Sequence, residues 1–85
     1  MNNPMRIDIC ASDDYATQSA LLEALSRVGA YPDEDFDLEV PMPQGFNQFR
    51  LGTEFLTVFA DAWIVNLEGP DELVERVLAE LRETP

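Results

Sequence analysis

The chain has no histidine, no lysine and one cysteine. Each absence narrows the chemistry. Without His or Lys the usual general bases are missing, so nucleophilic catalysis lacks its ordinary activating group. A zinc site needs clusters of His or Cys, and there are none. The lone Cys10 has no internal disulfide partner, so a disulfide-stapled secreted scaffold is excluded. Placed on a strand among apolar neighbours, it reads as a packing residue rather than a reactive thiol. The glycines, 4 in number, stand singly, and no phosphate-cradling loop can be built from them. No apolar run approaches the ~18 residues of a membrane-spanning helix. The first residues lack the apolar stretch of a signal peptide. The expectation is a soluble, cytoplasmic, non-enzymatic protein with no cofactor and no metal.

Base is scarce and acid is abundant. All 5 basic residues are arginine against 17 acids, a formal net charge of −12. That sign repels nucleic acid and anionic membranes, which excludes both as direct partners, and it favours basic ones. The plainer reading is compositional bias, of the kind expected from a GC-rich or salt-adapted genome. Hydrophobic residues at 46% and charged residues at 26% are ordinary for a folded globule. With 85 residues the chain makes one small domain with a limited core. Residues 5–85 are assigned to that domain and residues 1–4 to a flexible tail.

The period of the apolar residues sets the elements. Met5, Ile7, Ile9 and Ala11 alternate with Arg6, Asp8 and Cys10, which predicts a strand over 5–11. Ser12 followed by Asp13 and Asp14 marks a helix start, with Ser12 as the cap. Thr17, Leu21, Ala24, Leu25 and Val28 form one helical stripe, Gly29 suits a left-handed terminus, and Pro32 bars continuation, so a helix is predicted over 13–28. Phe36, Leu38 and Val40 alternate with Asp35, Asp37 and Glu39 in a second strand. A third, weaker strand covers 46–51, and Gly52-Thr53 suits a type II′ hairpin turn. The long β-rich run from Glu54 slips in phase near Ala60-Asp61. Ala-Asp is a poor hairpin dipeptide, so one long strand with a bulge is preferred over two strands. Pro70 at a first helical position and Asp71-Glu72 in the first turn open a second helix to about residue 83. Glu72 and Arg76 are spaced as an i,i+4 ion pair.

The order β-α-β-β-β-α predicts an α+β two-layer sandwich, a mainly antiparallel sheet with two helices on one face. The element order resembles a ferredoxin-like plait that lacks its last strand and gains one in the meander. Element order of this kind carries no function.

The acidic segment is the functional candidate. Asp33, Asp35, Asp37 and Glu39 begin like a calcium-binding loop, but Leu38 stands where glycine is needed and Gln44 where glutamate is needed. On a strand, alternate residues lie about 6.6–6.8 Å apart. That is close to the spacing of phosphates along a nucleic-acid strand, roughly 6–7 Å. Asp35, Asp37 and Glu39, extended into the turn by Asp33 and Glu34, would therefore display negative charge as a decoy for a basic, nucleic-acid-binding surface. A solvated strand face, or an edge guarded against aggregation, is the plainer use of the same residues. The expected partner is a nucleic-acid-binding protein or nuclease. The expected class is an inhibitor of the phage anti-defence, anti-CRISPR or immunity-protein kind. The alternatives are a small-molecule-binding or regulatory module, with homodimerisation through an exposed sheet face, and an acidic accessory protein. Trp63, Tyr15, Tyr31, Phe46 and Phe49 could each be core or surface, and only Phe49 is assigned to the core.

Overall fold

The computed structural model describes residues 4–32 and 43–83. The elements are β1 (Pro4–Ala11), α1 (Tyr15–Val28), β2 (Tyr31–Pro32), β3 (Gly45–Leu51), β4 (Glu54–Ala60), β5 (Ile64–Pro70) and α2 (Asp71–Glu83). The strands form one five-stranded sheet in the order β1-β5-β4-β3-β2, with every pairing antiparallel. Strands β2 to β5 are a meander, and β1 docks beside β5 at the far edge. This simple meander differs from the interleaved strands of a plait. β1 and β2 point the same way from opposite edges, so α1 crosses the sheet between them.

The two-layer α+β architecture follows from period-2 burial. Asn47, Phe49 and Leu51 of β3, Leu56, Val58 and Ala60 of β4, and Val65 and Leu67 of β5 point to the helices. They meet Leu21, Ala24 and Leu25 of α1 and Leu73, Val74 and Val77 of α2 in a single core. Phe49 is buried as expected. Its ring alone contributes about 1.5–3 kcal/mol of transfer free energy. Gln18 also sits on the buried stripe of α1, where its Nε2 donates to the Ser12 carbonyl at 2.9 Å.

Several boundaries differ from the sequence expectation, each for a local reason. Asp14 caps α1, not Ser12: its carboxylate accepts from the Thr17 N–H at 3.1 Å and the Thr17 hydroxyl at 2.7 Å. Ser12 is engaged elsewhere, donating to the Ala62 carbonyl at 2.7 Å. Gly29 does take the left-handed conformation, at φ 89°, and closes the helix. In β1 the register shifts between Asp8 and Cys10. This bulge turns Cys10 onto the core with Met5, Ile7 and Ile9, and leaves Ala11 exposed. Tyr31-Pro32, where Pro32 is expected to bar the helix from continuing, forms the short strand β2, at the sheet edge among the described residues, where a missing N–H can be tolerated. The expected strand at 36–40 lies outside the described residues.

The run after Glu54 is two strands, not one. Asp61 sits at the first position of the connecting turn, and its Oδ1 accepts from the N–H groups of Trp63 at 2.7 Å and Ile64 at 2.8 Å. The central dipeptide is thus Ala62-Trp63, and Asp61 supplies the turn chemistry from outside it. The earlier hairpin matches expectation: Leu51 pairs with Glu54, Gly52 has φ 63°, and Thr53, like every described non-glycine residue, has no positive φ, as a type II′ turn requires.

Pro70 ends β5 and Asp71 begins α2 with no intervening loop, so the chain turns sharply beside the core. Gly69 permits this. A Cβ there would lie 2.6 Å from Leu56 Cδ2 and 3.1 Å from the Phe55 carbonyl oxygen. Gly69→Ala is expected to lower unfolding free energy by about 1–3 kcal/mol. Urea denaturation followed by circular dichroism measures this; a loss below about 0.5 kcal/mol would contradict the packing account.

Candidate interaction surface

The face of the sheet opposite the helices has no described element over it. Register places three rows of side chains there. The middle row runs Arg6, Glu68, Thr57, Gln48 across β1, β5, β4 and β3. On one side lies the row Asp8, Asn66, Phe59, Phe46. On the other, Phe55 faces Arg50, which faces Tyr31. The covered face of these strands is mainly aliphatic, while the open face holds their exposed aromatics.

Those aromatics are organised. The Phe46 and Phe59 rings stack with centroids 4.7 Å apart and planes at 34°. The Arg6 guanidinium lies over Phe59 at 5.7 Å, and that of Arg50 over Phe55 at 5.2 Å. Each cation–π contact at such a site contributes about 0.5–1 kcal/mol. Phe46 remains 77% exposed and Tyr31 58%, so the packing leaves much of the aromatic surface in water. Between β1 and β4 stands Asn66 of β5. Its Oδ1 is buried without a hydrogen-bond partner. Arg6 reaches over β5 to arrive at Phe59, and Asn66 is only 2% exposed.

Charge is distributed unevenly over the molecule. On the open face Arg6 and Arg50 offset Asp8 and Glu68. On α2, Asp71, Glu72, Glu75, Glu80 and Glu83 outnumber Arg76 and Arg82. Arg27 joins the helices, 3.5 Å from Glu23 and 3.7 Å from Glu80. These half-exposed pairs contribute at most about 1 kcal/mol each. The expected Glu72–Arg76 pair is not among the ion pairs of the described residues; both side chains are exposed, where such a contact has little hold.

The acidic candidates Asp33, Glu34, Asp35, Asp37 and Glu39 lie outside the described residues. The structure instead brings Phe46, Phe55, Phe59 and Tyr31 together with Arg6 and Arg50. The alternation in FNQFRL sets Phe46, Gln48 and Arg50 in one phase, and only the register of β3 with β4 matches Phe55, Thr57 and Phe59 of EFLTVFA to it. Trp63 is 80% exposed at the tip of the β4–β5 turn, in neither the core nor the open face. Cys10 is half-buried, and desolvation, with the nearby charge of Asp14, raises its thiol pKa, which keeps it protonated. A cleft of ≈ 240 Å³ beside Ser12, Tyr15, Gln18 and Asp61 falls short of the ~300–1,000 Å³ of drug-sized ligand sites. No helix among the described residues is long and apolar enough to cross a membrane.

Comparison with protein families, with curated proteins and with solved structures gives no match.

The Asp61 turn sets one edge of the open face and titrates. The N–H groups of Trp63 and then Ile64 hold its carboxylate below the ordinary aspartate range, and Arg6 adds to the effect. A pKa lower in the folded than the unfolded chain adds stability above the unfolded value, and that stability is lost as pH falls through the folded value. Asp61→Ala should therefore melt lower than the parent at neutral pH, with the gap closing as pH falls below about 4. Thermal melts of both proteins down to about pH 2.5 test this; a gap of constant size throughout would refute it.

Proposed function

We propose that the chain is a small, non-enzymatic, cytoplasmic interaction protein. It occludes a basic nucleic-acid-binding or nuclease surface, in the manner of phage anti-defence, anti-CRISPR or immunity proteins. One observation carries the reading: a charge-balanced sheet face with no element over it among the described residues, made of Phe46, Phe55, Phe59 and Tyr31 capped by Arg6 and Arg50, on a chain of net charge −12. Protein interfaces are enriched in aromatic residues and arginine at their centres and depleted of acids there. The acids elsewhere, on α2 and at Asp33, Glu34, Asp35, Asp37 and Glu39, steer a positive partner from a distance. The two features divide the work, with long-range attraction from the acidic remainder and short-range docking by the aromatic face.

The test is displacement of fluorescent duplex DNA from a panel of basic nucleases and DNA-binding proteins. Displacement from a cognate target at about 0.1 M salt, weakening toward about 0.5 M, is expected. Phe46→Ala combined with Phe55→Ala should reduce it at least about tenfold. Reversal of Asp35, Asp37 and Glu39 to Lys should slow association. Displacement of DNA from none of the panel would defeat the inhibitor reading, and unchanged displacement after the triple reversal would remove the acidic row from it.

A further inference from the structure

β1 is an edge strand whose sequence is self-complementary. It pairs with β5 on one side, and among the described residues no strand pairs with its other side. That outer row of N–H and C=O groups is a template for another strand. Read from Met5 to Ile9, the strand runs apolar, positive, apolar, negative, apolar, and its centre is Ile7. In an antiparallel pair about a two-fold axis at Ile7, Arg6 stands opposite Asp8 of the second copy, twice. Met5 stands opposite Ile9 and Ile7 opposite itself. Directly opposed residues share a face with Cβ atoms about 4.5–5.5 Å apart, close enough for opposite charges to attract.

The environment of β1 fits such pairing. Arg6 and Asp8 are exposed, and neither takes part in an ion pair among the described residues. The Arg6 guanidinium lies over Phe59 at 5.7 Å, so it must swing outward from that ring, giving up about 0.5–1 kcal/mol, to meet a second copy. Met5, Ile7 and Ile9 pack against the core but remain only partly buried, so the apolar row is incompletely covered at this edge. A second β1 would continue that row. Pro4 at one end and the bulge after Asp8 at the other limit the paired length. Among the described residues the opposite edge, β2, is Tyr31–Pro32. A contact in which the same edge meets itself about a two-fold axis is isologous and closes as a dimer.

We infer that the chain self-associates through β1 into a two-fold dimer with a continuous sheet, Arg6 of each copy paired with Asp8 of the other. This edge shares Arg6 with the aromatic face but pairs through the β1 backbone, and the inference does not depend on the proposed inhibitor role. The dimer joins the two open faces into one longer surface. Pairing of so short an edge buries less than the ~800 Å² per partner of a standard interface, so a dissociation constant of about 10–100 µM is expected. Each copy carries −12, so salt should strengthen the dimer by screening the repulsion between whole molecules. A complex with a basic partner would show the opposite salt response.

Sedimentation equilibrium of the full chain, at about 0.15 M and 0.5 M NaCl, tests the inference. A monomer–dimer equilibrium that tightens with salt is expected. Arg6→Asp alone and Asp8→Arg alone should each weaken it at least about tenfold, because each places like charges opposite one another twice. An equimolar mixture of these two variants should recover a heterodimer, and the double variant carrying both changes should dimerise as the parent does. Circular dichroism confirms that the variants fold. A monomer at every concentration in both salts overturns the inference. So does a dimer that ignores the charge changes, or one abolished by Phe46→Ala, which would place the contact on the aromatic face.

Discussion

Everything in this molecule depends on both helices packing against the same side of one antiparallel sheet. The apolar stripes of α1 and α2 meet Phe49, Leu56, Val58, Val65 and Leu67, and that contact is the core. Among the described residues no element lies over the opposite face, which is left to meet water or a partner. Period-2 alternation then sorts the residues: aliphatic side chains fill the core, and Phe46, Phe55 and Phe59 are turned outward with arginines laid over two of them. The open face is a direct consequence of where the core is.

The same constraint shapes the charge pattern. Acids on helices and loops stay hydrated and repel one another only weakly through water. On a sheet, like charges directly opposite would be destabilising, and the open face carries both signs. The result is a strongly acidic body with one nearly neutral, aromatic side. In the role proposed above, such a body would attract a cationic partner from afar and contact it through rings and guanidinium groups, a division suited to rapid association followed by specific docking.

Much of the architecture was legible because it rests on local chemistry. The alternation from Met5, the stripe of Leu21, Ala24 and Leu25, the terminus at Gly29 and the hairpin at Gly52 each follow from a few neighbouring residues. Features that depend on partners were not legible. The bulge at Ile9–Cys10 leaves the composition of β1 unchanged and shows itself only against β5. The turn at Asp61 was hidden because its chemistry is a side chain accepting from two backbone N–H groups, with neither glycine nor asparagine at its centre. Asp13, Asp14 and Ser12 compete for one capping role, and the tie between Ser12 and Ala62 decides it. The open aromatic surface was the largest omission. Both phases of EFLTVFA are apolar, so only the register with β3 and β5 reveals which one faces the helices. The acidic segment drew attention by its composition, and it lies outside the described residues.

The division between covered and open faces is most directly measured by paramagnetic relaxation enhancement from an inert soluble agent, read by NMR on the free monomer. The account predicts strong attenuation of the Phe46 ring protons and partial attenuation of those of Phe55, with the methyl groups of Leu56, Val58 and Leu67 untouched. Equal protection of Phe46 and Leu56, or attenuation of the Leu56 and Val58 methyls, would place the core on the other side of the sheet and contradict it.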